Sequence, residues 1–311
     1  MSSDANAKGA KLRDVHRLSP GWNALLHLIA GAFALSCIFP FVLAIVISFT
    51  DENTLALDGY SIFPKKWSLF AYDYIFKTGD QVLHSYVVTL GVTVIGTILT
   101  VSMTALYAYA LSRKSFKYRK FFTFLAFFTM LFGGGLVPSY IIVAQMLHLK
   151  DTIWALILPM ALNAFNIVIL RTFFQTMIPD AIVESGKIDG AGEYKILLRL
   201  VLPLALPGLA TIALFSTLGF WNDWFNALLY IDSNSLVPLQ AMLMRIESSM
   251  QFIIQNSSLL NSGESREMLA SLPQETSRMA MVVLATGPIV LAYPFFQRYF
   301  IEGLTIGAVK D

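Results

Sequence analysis

Charge is what this sequence has least of. Asp, Glu, Lys and Arg together make up 14% of 311 residues, and the net charge is only +2. A soluble domain is nearer a quarter charged. So small a net charge gives no reason to expect a nucleic-acid partner. Cysteine occurs once, as Cys37 within an apolar run. One cysteine closes no internal disulfide and leaves the redox compartment open, so it reads as a packing residue. The four histidines, His16, His27, His84 and His148, are scattered, and no pair has metal-ligand spacing. A phosphate-binding loop is also missing, because "GGGLVPS" lacks the Lys-Ser/Thr ending and lies inside an apolar segment. Ser139 has no neighbouring His or Lys for intramembrane hydrolysis. No repeat of 20–50 residues and no low-complexity tract interrupts the chain. The expectation is no catalytic residue, no metal and no cofactor bound by this chain.

Apolar residues are plentiful. They make up 56% of the chain, and the mean hydropathy is +0.64. The expected class is an all-α, polytopic membrane protein. About 20 apolar residues span a bilayer core. Six segments meet that length or nearly do: 24–49, 86–111, 121–146, 153–170, 201–231 and 279–296. Lys8, Lys11, Arg13 and Arg17 ahead of the first run imitate a signal peptide. That run exceeds a secretory core of roughly 7–15 residues, and "AIVISFTDEN" offers no small-residue cleavage site. It reads as an uncleaved span. With the N-terminus inside, fifteen of the 22 Lys and Arg fall in inner segments, and "SRKSFKYRK" pins the second loop to the cytoplasm. Both termini are therefore expected inside.

The domain reading is an N-terminal cytoplasmic segment (1–23), a six-helix transmembrane unit (24–300) and a cytoplasmic tail (301–311). A large outer loop covers 232–278. Within it "PLQAMLMRIESSMQFIIQ" has the pattern of a short amphipathic helix lying on the outer surface. Gly133, Gly134, Gly135 and Pro138 interrupt the third segment. Pro203 and Pro207 open the fifth, and Pro288 and Pro294 sit in the sixth. Proline frees carbonyls that a neighbour or a wet cavity must satisfy, so these positions read either as packing kinks or as hinges and path lining.

One stretch breaks the apolar monotony: "ESGKIDGAGEYKILLRLVLPLALP", from Glu184 to Pro207. "PDAIVESGKI" reads as a short helix with Asp180 as N-cap behind Pro179. "DGAG" interrupts it, since glycine readily adopts positive φ. "EYKILLRLVLPLALP" restarts a helix into the bilayer. The product is an elbow over 180–200, charged on one side and apolar on the other. Such an object can lie in lipid headgroups or seat in a groove of a soluble subunit, and composition does not choose.

A resemblance does. Glu184, Gly190, Ala191, Gly192, Leu202 and Pro203 stand at the spacing of the "EAA" loop of ATP-binding-cassette importer permeases. Ser185 and Gly186 replace its two alanines, which suggests extra flexibility, and Leu200 stands for its isoleucine. "GGGLVPSY", "FWNDWFNALLYI", "PLQAML" and "QRYFIEGLTIGAVKD" extend the likeness over roughly 24–311. They resemble the carbohydrate family that includes the maltose permeases, in a branch serving complex oligosaccharides and lipoprotein binding proteins. The resemblance implies the type I importer fold, with the elbow as a coupling helix. Its contact residues would be Glu184, Ser185, Gly186, Asp189, Gly190, Ala191 and Gly192, docked on a cytoplasmic ATPase subunit. It further implies two copies of that ATPase, which hold ATP and Mg, a second homologous permease, an external solute-binding protein and an oligosaccharide substrate, all at a bacterial cytoplasmic membrane.

Sugars are held by aromatic faces and directed hydrogen bonds, and polar groups inside a span are costly unless used. Trp221, Asn222, Phe225 and Asn226, at i, i+1, i+4 and i+5, share one helical face. Asn163 and Asn166 lie three apart in the fourth segment. These six are the path candidates; the alternative for each is inter-helix packing. A secondary transporter coupled to ions would need buried ionisable groups or an inverted repeat. Asp223 is the lone acid well inside a span, and no repeat is visible.

Overall fold

The computed structural model describes residues 20–77, 80–255 and 273–308. Among them the architecture is helical, with one isolated bridge between Thr50 and Trp67. Helix α1 (Pro20–Ser48) is followed by two short helices, α2 (Glu52–Asp58) and α3 (Phe70–Phe76). The long α4 (Asp80–Ser112) comes next, then α5 (Arg119–Leu131) and α6 (Leu136–Tyr140), which runs into a π turn at Ile141–Met146. The next pair is α7 (Ile153–Ile157) and α8 (Ala164–Met177). The elbow helix α9 (Asp180–Ile188) leads to α10 (Glu193–Ile196), a π turn at Leu197–Val201 and α11 (Leu202–Leu204). Then come α12 (Leu206–Trp221), α13 (Phe225–Tyr230), α14 (Leu239–Gln255) and α15 (Gln274–Ala308).

Three helices are long and apolar enough to cross a membrane unbroken, and three more candidates are bent pairs. Each bend has a local cause. The third segment turns by 115° between Arg119–Leu131 and Leu136–Met146. There Gly135 takes φ +85°, which side chains disfavour. The fourth bends by 52°, because Asn163 leaves the helical path. Its Oδ1 accepts from the N–H of Phe165 at 2.8 Å and caps a new helix. The fifth bends by 83° beside Pro203 and Pro207, where missing N–H groups cannot continue the ladder. The sixth differs: α15 passes both Pro288 and Pro294 without a break.

That continuity has a physical reason. Pro288 cannot donate to the carbonyl of Leu284, four residues earlier. The Tyr86 hydroxyl donates to that oxygen instead, at 2.7 Å. Trp221 Nε1 donates to the next carbonyl, Ala285, at 2.8 Å. Two side chains from α4 and α12 thus satisfy backbone that lipid would leave bare.

Helix α4 is the hub, packed on α12, α8 and α14. Its inner face carries Ser85, Thr89, Thr93, Thr100 and Thr104, all buried. Small hydroxylated residues let membrane helices approach closely. Thr97 and Thr217 bond across the α4–α12 seam at 3.2 Å. Helix α1 is peripheral, and its most apolar window is 0% buried by the rest of the chain. The amphipathic helix expected in the last outer loop is α14. Its apolar residues Leu239, Leu243 and Met250 pack with Ala71, Ile75, Trp221 and Ala280, so that face is covered by protein. Residues 256–272 of the same loop lie outside the described residues. At the start of α15 the Glu52 carboxylate accepts from the N–H groups of Glu275 and Thr276, both at 3.0 Å. It thereby caps α15 from a distant part of the chain.

The tightest point of the α4–α12 seam yields a test. A Cβ at Gly96 would stand 2.7 Å from the ring of Phe220, which is buried. Gly96→Ala should therefore cost about 1–3 kcal/mol by overpacking. The readout is a lower thermal midpoint in detergent, partly recovered by adding Phe220→Leu.

Candidate functional site

The elbow is built against the end of α4. Helix α9 begins at Asp180, and Pro179 occupies the cap position, which corrects the N-cap role expected for Asp180. Its carboxylate instead pairs with Lys114 Nζ at 2.8 Å. That bond holds the Asp180 carboxyl below the usual carboxylate range. On the inner face of α9 Val183 and Gly186 are buried. On the outer face Glu184, Ser185, Lys187 and Ile188 are exposed. Glu184 makes no hydrogen bond or ion pair among the described residues, so its carboxylate is free to meet another protein. Ser185 Oγ is occupied locally by the Ile182 carbonyl at 3.0 Å.

Gly186 is not a flexible point, contrary to the sequence expectation. A Cβ there would lie 2.9 Å from Leu200 Cδ1 and 3.1 Å from Ile196 Cγ1. The glycine lets α9 close down on α10 and the π turn. The reversal follows at once. Gly190 takes φ +75°, and the N–H of Ala191 donates to the Gly186 carbonyl at 2.9 Å. Of the seven elbow residues, Glu184, Ser185, Asp189, Gly190 and Gly192 are thus exposed, Ala191 is half-buried, and Gly186 packs inward against Ile196 and Leu200.

Two features of the elbow escaped the sequence reading. Glu193 accepts from Lys187 Nζ at 2.7 Å and from the Tyr109 hydroxyl at 2.7 Å. This clamp ties the elbow to α4. Ile188 and Tyr194 are 86% and 76% exposed beside it. Large apolar side chains outside the spans, in "GKIDGAGEYK", were the available signal for a docking face.

The path candidates separate. Helix α12 ends at Trp221, and α13 begins only at Phe225. Asp223 causes the break, because its carboxylate accepts from Asn226 N at 3.2 Å and Asn226 Nδ2 at 3.0 Å. Trp221, Asn222, Phe225 and Asn226 thus do not share a face of one helix. Trp221 is 3% exposed and engaged with α15. Asn222 and Phe225 are exposed, and Asn226 is half-buried. Asn163 is spent on its cap and Asn166 is buried. Of the six, Asn163, Asn222 and Phe225 are exposed, with Asn222 Nδ2 donating to the Leu218 carbonyl at 2.9 Å.

Gly186 gives a graded expectation. Gly186→Ala meets the mobile end of Leu200 and should be tolerated. Gly186→Val adds bulk against buried Ile196 and should cost about 1–3 kcal/mol. Limited proteolysis at 180–193 should then speed up in the valine variant and stay unchanged in the alanine variant.

No family model matches the chain, but individual relatives do. It is 41% identical over 280 residues to the polygalacturonan/rhamnogalacturonan transport system permease protein YtcP of Bacillus subtilis (strain 168), covering 89% of this chain and 94% of that protein. It is 39% identical over 303 residues to protein LplC of the same organism, covering 97% and 99%. Among solved structures it superposes with TM-score 0.75 and 28% identity on a bacterial ABC transporter involved in the import of the acidic polysaccharide alginate. That match covers 91% of this chain and 99% of the other. Identity well above 30% along almost the whole length, with the same helical architecture, settles the family: the chain belongs to the carbohydrate family of permease subunits of ATP-binding-cassette importers.

Proposed function

We propose that this chain forms half of a translocation path for an oligosaccharide handed over by an external lipoprotein. Permeases of this family are membrane subunits and not enzymes; ATP hydrolysis lies in a separate subunit. A second, homologous permease supplies the other half. Two copies of a cytoplasmic ATPase hold ATP and Mg. In this reading the termini and the elbow face the cytoplasm, six spans cross the membrane, and 232–278 faces the binding protein.

The observation that carries the proposal is the elbow. It is a short helix braced at both ends to α4, with an unpaired Glu184 on its outer face. ATP-driven closure of the ATPase pair would move such a braced element as a rigid lever, and the spans would rock between two states. The ion-coupled alternative is not favoured, and the lone intramembrane acid is engaged in capping α13.

An acidic sugar is the substrate class we favour. Lys65, Lys66, Lys150 and Arg278 each pair with a carboxylate. Lys77 and Arg245 have no such partner among the described residues. Both line a cavity of about 430 Å³ with Tyr74 and Gln81, suited to a sugar ring bearing a carboxylate. Two of the relatives above are named for acidic polymers.

Two measurements test this. Losing one partner of a desolvated charge pair costs on the order of 2–5 kcal/mol, and reversing the charge should cost more. Glu184→Lys should therefore leave the protein inserted but detach or uncouple the ATPase. Lys187→Ala, which removes an exposed pair of at most about 1 kcal/mol, should be much milder. Co-purification of the ATPase and ATP-driven uptake in vesicles read both; wild-type values for Glu184→Lys would remove the coupling role. For the substrate, Lys77→Gln should raise the apparent KM for uronate oligosaccharides and leave neutral ones unchanged. An equal shift for both would sink the acidic-sugar reading.

A further inference from the structure

A cavity of about 460 Å³ opens where the end of α4 meets α10, at the root of the elbow. Leu106, Ala110, Phe116 and Leu197 give it apolar lining, and Arg113 and Ser115 add polar groups. Arg113 follows directly on α4 and is only 7% exposed. Its Nε donates to Ser112 Oγ at 2.9 Å, and its guanidinium lies 5.1 Å from the centre of the Tyr109 ring. Neither neighbour carries a negative charge. Among the described residues no carboxylate lies within ion-pair distance of it. Glu193 lines the same cavity, but Lys187 and Tyr109 already hold its two oxygens. The Asp180 and Glu193 carboxylates attract Arg113 at longer range, but neither forms an ion pair with it. A buried guanidinium without a bonded counter-ion suits an anion from outside the chain.

The shape of the cavity selects the kind of anion. Leu106 stands seven residues before Arg113, about 10 Å along the helix axis. The cavity therefore runs from the end of a membrane-spanning helix down into hydrocarbon depth. A small soluble anion would fill the Arg113 end and leave the apolar lining uncovered. An amphiphile covers both. Lys117, Arg119 and Lys120 lie in the adjoining segment with no carboxylate partner among the described residues. Such a basic segment at a bilayer surface concentrates anionic lipid. We infer that this cavity binds an anionic phospholipid, with its phosphate on Arg113 and Ser115 and an acyl chain along Leu106, Ala110 and Leu197. The lipid then bridges α4 and α10, the two elements that the Glu193 clamp already joins. Its presence should stiffen the elbow root.

The inference rests on α4 crossing the bilayer, not on the substrate or the direction of transport. Lipid retention can accordingly be scored whether or not sugar moves. The assembled importer is purified from nanodiscs of phosphatidylcholine with and without phosphatidylglycerol, and bound lipid is counted by native mass spectrometry. Wild type should retain a phosphatidylglycerol that Arg113→Gln loses and Arg113→Lys keeps. Leu106→Trp, a partly exposed position in the apolar lining, should also lose it while leaving Arg113 in place; this variant decides the matter if Arg113→Gln does not assemble. Phosphatidylglycerol should raise ATP hydrolysis in wild type by about fivefold, the low end of allosteric coupling. It should do little in either lipid-deficient variant. Equal retention by wild type, Arg113→Gln and Leu106→Trp would overturn the inference. So would full stimulation by inorganic phosphate in pure phosphatidylcholine, which would assign the site to a soluble anion. Arg113 cross-linking to an ATPase carboxylate, with no lipid retained, would assign it to the partner subunit.

Discussion

The hydrocarbon interior of a bilayer offers a peptide group nothing to bond with, and the rest of this structure depends on that constraint. It leaves a single chain only helices or a closed barrel. This chain has the helical solution throughout its described residues. A carrier cannot be made of straight rods alone, so several helices must bend, and each bend exposes backbone. Side chains answer several of these exposures. Asn163 caps α8, Asp223 caps α13, and Glu52 caps α15. Tyr86 and Trp221 take up the carbonyls around Pro288. Pro288 is thus tolerated because a side chain on a neighbouring helix replaces its missing donor.

The same economy shapes the elbow. An exposed helix of two turns is not stable alone. Here α9 is held from below by Gly186 closing on Ile196 and Leu200. The Asp180–Lys114 and Lys187–Glu193–Tyr109 contacts brace it from the side. Surface ion pairs contribute little stability individually. Their value here is geometric, because they fix α9 to the end of α4, the hub helix. The elbow is thereby joined to α4 and, through it, to α12 and α8, which fits the lever role proposed for it.

Much of this was legible in the sequence because its signals are strong and local. Low charge and long apolar runs identify a membrane protein, and the Glu184–Gly190–Pro203 spacing identifies the elbow. The path candidates were less legible. A shared face for Trp221 and Phe225 assumed an unbroken helix, and a single acid, Asp223, ends that helix by capping the next. Trp221 looked available to a sugar because aromatic character says nothing about which groups a ring buries against. Gly186 looked flexible because glycine is permissive by default; only its neighbours show that it is there for closeness.

By itself, then, the sequence determined the class of solvent, the apolar segments, the breaks at Gly135, Pro203 and Pro207, and the family. These follow from residue type and spacing within short windows, where hydropathy and backbone preference act directly. Only the tertiary structure decided which broken backbone is rescued by which side chain, which polar residues are spent on caps, and which remain free. Those outcomes depend on contacts between residues far apart in the chain, such as Glu52 with Thr276 or Tyr109 with Glu193. No local pattern encodes such a pairing; it exists only once the helices have packed.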